Sequence, residues 1–567
     1  MSGRGTYGLA VTIDIPMDLL SGPFDEQSLE QLFLLYRRLG IRRIDWLDIG
    51  GLSEGYLDYW MYDHARQNAV ETRKAIGEFL PAAVRIAHKL DMQCFAVFKT
   101  FDRAFNYCAY RRTPGRPGLT DIIGGEVARV TCSFLALKHC RMERNMRLLP
   151  KDCERMTIAK IRLESSGDGN HGLTEKNLRL QVSPDNDVYR PYRGPMRYAE
   201  KTMRGKRVIE LSGLRIRERY VALLTPFREG EGHFSNTLDR LVRLYDAGGR
   251  EIPFTYGLQS NEDRFRNFTT RRRHLRVKLA PNVWTSGYCF DASGESITDG
   301  FLKRTERALD GAPGYLALAK GKARYTVALS PSYPAARELW LSQIRRCLKA
   351  GVDGVDIRID NHARSHEWEA YGFEEPVAAA YRDRWGVDPR YEKFKASRLL
   401  DVRAVHFTDF MREASREVRQ HGRKFHAHIL GFLMRRTLGQ RYMGMKWEWE
   451  TWIREGLLDG LTMKGLSPEW PEDGARLCRR LEREAARAGV PIWYCINFNV
   501  LARFPDWPKR FARISRYSRD SGHAGMILYE SAELSRRQRG TFRLRHTELP
   551  NLLSKLTARS KGSTRAR

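Results

Sequence analysis

The stretch Gly351-Val-Asp-Gly-Val-Asp-Ile-Arg-Ile-Asp-Asn-His362 constrains the fold of this chain more than any other. A predicted helix ends at the glycine and a short strand follows, and along a strand successive side chains point to opposite faces. Val355, Ile357 and Ile359 therefore share one face, while Asp356, Arg358 and Asp360 share the other. A strand covered by helices on both sides reads as a continuous apolar run, because a buried charge is costly without a partner. Charge on every second residue instead fits a strand with one face against a helix layer and the other lining a closed parallel barrel, ending at a polar rim. Asp356, the deeper acid, is expected to pair with Arg358 or another inner charge, which leaves residues 360–362 for function.

The rest of the chain repeats this alternation. Residues 7–15 read as a strand, closed by Pro16, and 25–39 as a helix capped by Asp25. Strand 43–49, helix 70–90 with a kink or break at Pro81, and strand 93–99 complete three units. Alternation resumes with helix 334–350 and strand 354–360, and helix 399–420 leads to strand 424–429. Helix 447–455 then precedes strand 459–464, helix 475–488 precedes strand 491–499, and helix 507–518 precedes strand 525–530. Eight strands is the number at which a parallel sheet closes into a packed barrel, so the predicted fold is α/β, a (β/α)8 TIM barrel. Between the third strand and the third helix, β-like runs at 207–211, 220–225, 241–245, 252–256 and 275–279 predict a large inserted β-rich, sandwich-like module. The expected organisation is barrel over 1–100, inserted module over 101–325, barrel over 326–545, and a basic C-terminal tail over 546–567.

Lysine and arginine number 98 against 68 acids, a net charge of +30. The arginines are spread through helices and loops and form no single block, so solvated surface is the first reading, an anionic glycan the second, and no nucleic-acid partner is expected. Nine cysteines stand singly, without CxxC pairs, which argues against a disulfide scaffold or a zinc knuckle and fits a reducing compartment. No apolar run of about 18 residues predicts a membrane span. A cytoplasmic location is expected for the chain as written, or a periplasmic or secreted one if a leader has been removed.

Functional groups of such barrels sit at the C-terminal ends of the strands. Reading those ends gives Asp14, Asp48, Lys99, Arg358, Asp360, Asn361, His362, His426, His428, Lys464, Asn497, Asn499 and Glu530. Taken singly, a strand-end acid caps the next helix or pairs with an arginine; together the residues describe one polar ring. Cleavage of an acetal needs one protonated carboxyl to assist the leaving oxygen and one ionised carboxylate to attack or to activate water. Asp360 and Glu530 are the expected catalytic pair, with Glu367 or Glu374 as alternatives to Asp360 for the acid. Trp368, Tyr371, Trp447, Trp449, Trp493 and Tyr529 offer flat faces to pyranose rings, Trp493 being kept as a substrate contact, although packing explains most of them as well. His426-Ala-His428 puts two imidazoles on one strand face, which suits a metal. Metal-dependent hydrolase barrels place such a pair on the first strand with histidines to follow, whereas here it falls on the fifth with none on the sixth to eighth. Substrate contact is therefore the preferred role, with no metal and no cofactor expected.

The segments T-Y-G-L-A-V-T-I-D-I-P, C-F-A-V-F-K-T-F-D, Y-P-A-A-R-E-L-W, G-V-D-G-V-D-I-R-I-D-N-H, Y-G-F-E-E-P-V and R-W-G-V-D-P together resemble bacterial family-10-like glycoside hydrolases. The resemblance covers about 7–99 and 333–530, and it implies a glycosidase-like barrel with a β module that cleaves a poly- or oligosaccharide. The chain departs from many glycosidases in lacking an Asn-Glu pair after the fourth strand. A glycan-binding barrel without catalysis and a metal-dependent hydrolase or lyase using His426 and His428 stay open beside it.

Overall fold

The computed structural model describes residues 7–48, 63–100, 138–145, 147, 153–164, 174–176, 178–184, 190–203, 206–225, 242–260, 278–279, 314–321, 325–359, 371–430, 441–442, 445–464, 472–502, 504–538 and 540–557. Eight strands form a closed parallel barrel: β1 (Gly8–Ile13), β2 (Arg43–Asp48), β3 (Gln93–Lys99), β4 (Gly354–Arg358), β5 (Lys424–Leu430), β6 (Gly460–Lys464), β7 (Ile492–Asn497) and β8 (Gly525–Tyr529). Each strand pairs with its sequence neighbour within the barrel, and β8 closes on β1 through Gly8 opposite Gly525 and Thr12 opposite Tyr529. The expected TIM barrel is therefore present, with the eight strands in the predicted order.

The alternation read in β4 holds in space. Val355, Ile357 and Ile359 are buried in the same apolar cluster as Trp340, Ile344 and Cys347 of the helix Pro334–Lys349, and Asp356 and Arg358 are buried on the opposite face. The helix Glu26–Arg38 begins as predicted, with Asp25 accepting from Ser28 N at 2.7 Å while Asp25 N donates to Ser28 Oγ at 2.9 Å. The stretch expected as a helix over 70–90 with a kink or break at Pro81 is two helices, Asp63–Ile76 and Phe79–Lys89. The break falls at Gly77, whose φ of 73° is a left-handed helix stop, and Pro81 sits harmlessly in the first turn of the second helix.

Between β3 and the helix Pro334–Lys349 the described residues contain two antiparallel sheets. One runs in the order Lys278–Leu279, Phe254–Ser260, Gly314–Lys320, Tyr220–Thr225, Arg179–Ser183, Arg190–Pro191, and the other Glu251–Ile252, Val242–Tyr245, Ile158–Glu164, Lys206–Ile216, Arg197–Met203. The chain re-enters the barrel through Tyr325–Leu329, which pairs with Arg141–Glu143. After β8 comes a hairpin, Ser535–Gln538 with Thr541–Leu544, and then a helix, Leu549–Thr557, that occupies part of what the sequence suggested was tail; Leu549 and Leu553 are buried in the barrel's outer core. Among the described residues no helix is long and apolar enough to cross a membrane.

Candidate functional site at the barrel mouth

The barrel interior is built in layers along its axis. At the N-terminal end, four strands begin with glycine, and large side chains from their neighbours take the space. A Cβ at Gly354 would lie 2.3 Å from the Phe95 ring, one at Gly460 2.6 Å from His426, and ones at Gly8 and Gly525 2.6 and 2.7 Å from Trp493. Arg43 completes this layer. Its guanidinium lies 4.3 Å from the Phe95 ring centre and 4.2 Å from that of Trp493, and it donates to both oxygens of Asp45, at 2.6 and 3.0 Å. Trp493 and His426, expected at the rim, are thus placed at the opposite end of the barrel. Period-2 alternation assigned the inward face correctly but carried no information on depth.

One pleat further along, Asp356 accepts from Thr462 Oγ1 at 2.7 Å and lies 3.5 Å from His428 Nδ1. Asp356 thus faces His428, where the sequence suggested Arg358 or another inner charge. Burial, the strongest influence on Asp356, raises its pKa, but the hydrogen bond and charge of His428, with His426 and Thr462, outweigh it and hold the carboxylate below its usual range. His428 moves the other way: burial first, then the charges of Arg358 and Lys464, push it down to about 4 against the pull of Asp356. His426 is pushed down to about 3, by burial and then by Arg43. Both imidazoles are neutral at pH 7. Their surroundings differ, since His426 packs on Phe95 at 5.0 Å while His428 faces Asp356.

The mouth follows. Lys99, Arg358, His428 and Thr462 form one rung across β3 to β6, and Thr12, Tyr529 and Asn497 another across β1, β8 and β7. Lys99 is fully buried, Arg358, Lys464, Asp14 and Glu530 nearly so, and Asn497 is half-buried. Lys464 Nζ lies 3.1 Å from the centre of the Tyr529 ring and the Arg358 guanidinium 5.1 Å from it, so that aromatic face is taken by cations. Trp447 and Trp449 are buried in the outer core and Tyr371 lies under Arg144 at 4.4 Å. These three aromatics are packing residues.

Glu530 follows β8 directly, across a cis Tyr529–Glu530 peptide bond. Asp14 follows β1 in the same way, and the pairing of Thr12 with Tyr529 sets the two acids side by side. Each precedes a short helix, yet neither side chain caps it. Burial, then the charge of Asp14, raises the Glu530 carboxyl to about 8 against the attraction of Lys464. Asp18, one turn beyond Asp14, is raised to about 7 by burial, with its Ser531 hydrogen bond opposing and Asp14 adding. The segment after β8 is held from below: the Tyr36 hydroxyl donates to Ser531 O at 3.2 Å and meets Ser535 Oγ at 2.9 Å. Asp18, Tyr36 and Ser531 escaped the strand-end reading because they sit on helices and turns, with no alternation to mark them.

Asp360, Asn361, His362 and Glu367 lie outside the described residues, as do the side chains of Asp48 and Asn499. Glu374 is buried away from the strand ends, at the start of the helix Glu375–Trp385, where it accepts from Ser330 Oγ and, at 3.0 Å, from Glu143 N. With both oxygens bonded it ties the re-entering chain to the barrel, and burial raises its pKa despite those bonds. Among the described residues no group of three or more His, Cys, Asp or Glu side chains is arranged to hold a metal ion.

No protein-family model and no curated protein matches the chain. Similar solved structures include the PgaB (BpsB) glycoside hydrolase domain from Bordetella bronchiseptica, 14% identical over 42% of this chain and 66% of that one, with a TM-score of 0.29. Trehalose-6-phosphate hydrolase from Bacillus licheniformis is 10% identical over 98% and 73%, with a TM-score of 0.33. Pyruvate kinase from Cryptosporidium parvum is 8% identical over 97% and 70%, with a TM-score of 0.29. At such scores the barrel assignment rests on the strand order itself.

Proposed function

We propose that this barrel is a glycoside hydrolase acting on a poly- or oligosaccharide, with Glu530 as the proton donor. The observation that carries the reading is a buried carboxyl at the mouth, raised well above its usual range beside a second acid. Glu530, buried beside Asp14 and drawn up to about 8, keeps its proton at neutral pH. A carboxyl protonated at pH 7 beside an ionisable neighbour is the condition for assisting a glycosidic leaving group. Asp360, two residues beyond β4 in the sequence, is the candidate for the opposing carboxylate, and Asp14 keeps Glu530 protonated. Lys99, Arg358 and Lys464 at the same mouth favour a glycan bearing carboxylate or sulfate groups, and Asn497 serves its hydroxyls. The two inserted sheets stack as a sandwich that extends the glycan-binding surface.

Glu530→Gln tests the assignment on neutral, uronic and sulfated oligosaccharides. Removing the acid should lower kcat by about 10²–10⁴-fold while substrate still binds. Full activity of the amide variant on a substrate that the parent cleaves would remove Glu530 from catalysis.

A further inference from the structure

Two buried polar groups, one in the mouth rung and one just below it, are not used by this acid–base chemistry. His428 is 3% exposed, and neither of its ring nitrogens has a hydrogen-bond partner among the described residues, although Nδ1 faces Asp356 while Nε2 faces no acid. Asp356 is fully buried, one pleat from the mouth rung, with its Oδ2 fixed by Thr462 at 2.7 Å and lying 3.5 Å from His428 Nδ1. Most buried polar atoms in folded proteins are satisfied, so an imidazole nitrogen without a partner beside a candidate substrate site is a place for a ligand's donor. The ring stands in one rung with Lys99 and Arg358, and Lys464 is near enough to act on it by charge. Those neighbours bear only donors, so the acceptor that Nε2 offers has no counterpart of its own kind on them.

We propose that Asp356 and His428 are a positioning pair: Asp356 accepts the Nδ1–H of His428 and thereby leaves Nε2 as the acceptor for a hydroxyl of the sugar in the mouth. The hydroxyl keeps its proton and no bond is made or broken. Asp356 fixes which nitrogen carries the hydrogen, and His428 reads the substrate. His426, one pleat deeper and packed on Phe95, takes no part. This assignment rests on the carbohydrate reading for its ligand but not for its tautomer.

Long-range proton–nitrogen correlation spectra of the full chain labelled with 15N-histidine test the pair directly, with the His428 signals identified by their loss in His428→Gln. At pH 7 the parent should show a protonated Nδ1 and a bare Nε2. Asp356→Asn, whose amide can donate to Nδ1, should move the proton to Nε2. An Nε2–H tautomer or an imidazolium in the parent overturns the pair, and that spectrum needs no Asp356 variant to fold. On a glycan that the parent cleaves, Asp356→Asn and His428→Gln should each lower kcat/KM about tenfold, the scale of one hydrogen bond to a buried acceptor. Unchanged kcat/KM in both variants removes the substrate contact. If the parent cleaves no glycan, the hydrolase reading fails while the spectrum still decides the pair.

Discussion

At the N-terminal end of the barrel, Arg43 lies between two aromatic rings and binds both oxygens of Asp45; at the C-terminal end, Lys99, Arg358 and Lys464 share the interior with Asp14 and Glu530. The same residue types line both ends. In the first layer a fork of donors meets a fork of acceptors, and glycines on the facing strands make room for the rings that enclose them. In the last layer a carboxyl is pushed up to about 8 by burial and by a like charge beside it. A closed pair makes a plug, and a group held away from its ordinary protonation state is available for chemistry. The comparison separates scaffold charge from working charge inside one barrel, and each end can be broken on its own.

Breaking the plug should produce the larger loss. Arg43→Met leaves Asp45 buried without its partner, which costs about 3–5 kcal/mol. Burial already raises the Asp45 carboxyl against the pull of Arg43, so losing Arg43 removes the main influence opposing that rise. The double variant Arg43→Met with Asp45→Leu should recover most of the stability, because a buried pair replaced by apolar groups is close to neutral. Urea unfolding of parent, single and double variants checks this, and equal stability of single and double would show that the pair is not closed on itself.

A smaller effect is expected from filling the glycine gap. In Gly460→Ala the new Cβ would sit 2.6 Å from the His426 ring, inside any normal contact, and the ring cannot retreat past Phe95. Overpacking of this kind costs about 1–3 kcal/mol. The same substitution at Gly456, where nothing lies within 4 Å but φ is 64°, tests strain without packing. If Gly460→Ala unfolds at the same urea concentration as the parent, the layer is looser than its contacts imply.

The two ends differ equally in how far the sequence exposed them. Strand order and facing were legible because alternation is a local property, and Val355, Ile357 and Ile359 against Asp356 and Arg358 fell on the faces assigned to them. Depth was not legible. Trp493 and His426 are inward-facing like Asn497 and His428, and only the register and the glycines opposite them put the first two at the plug. Glu374 looked like a rim acid because it follows aromatics in a loop, but its role depends on Ser330 and Glu143, which arrive from across the inserted segment. Asp18 and Tyr36, which surround the Glu530 turn, lie about five hundred residues away in sequence, and no local pattern links them. The asymmetry of the Glu530 carboxyl is likewise a product of closure, since it requires β8 to lie beside β1.

The smallest expected effect is a pH dependence of stability at the mouth. The Glu530 carboxyl titrates near its ordinary value of 4.5 when the chain is unfolded and at about 8 when folded. Between those limits the folded state binds the extra proton, so this group makes stability fall as pH rises from about 4.5 to about 8 and contributes no slope outside that window. Asp18 acts in the same sense up to about 7. His428, lowered to about 4 from 6.5, acts in the opposite sense, its folded state holding fewer protons across that lower window. The parent curve is therefore a sum of opposed contributions, and the difference between parent and Glu530→Gln isolates one of them. Below about pH 3.5 the two proteins should melt together, the carboxyl being largely protonated in both states; toward pH 8 the amide variant should become progressively the more stable. Calorimetric melting at half-unit steps of pH reads this directly. Parallel curves would mean that Glu530 is no more protonated in the folded protein than in the unfolded chain, and the distinction between plug and mouth would lose its electrostatic basis.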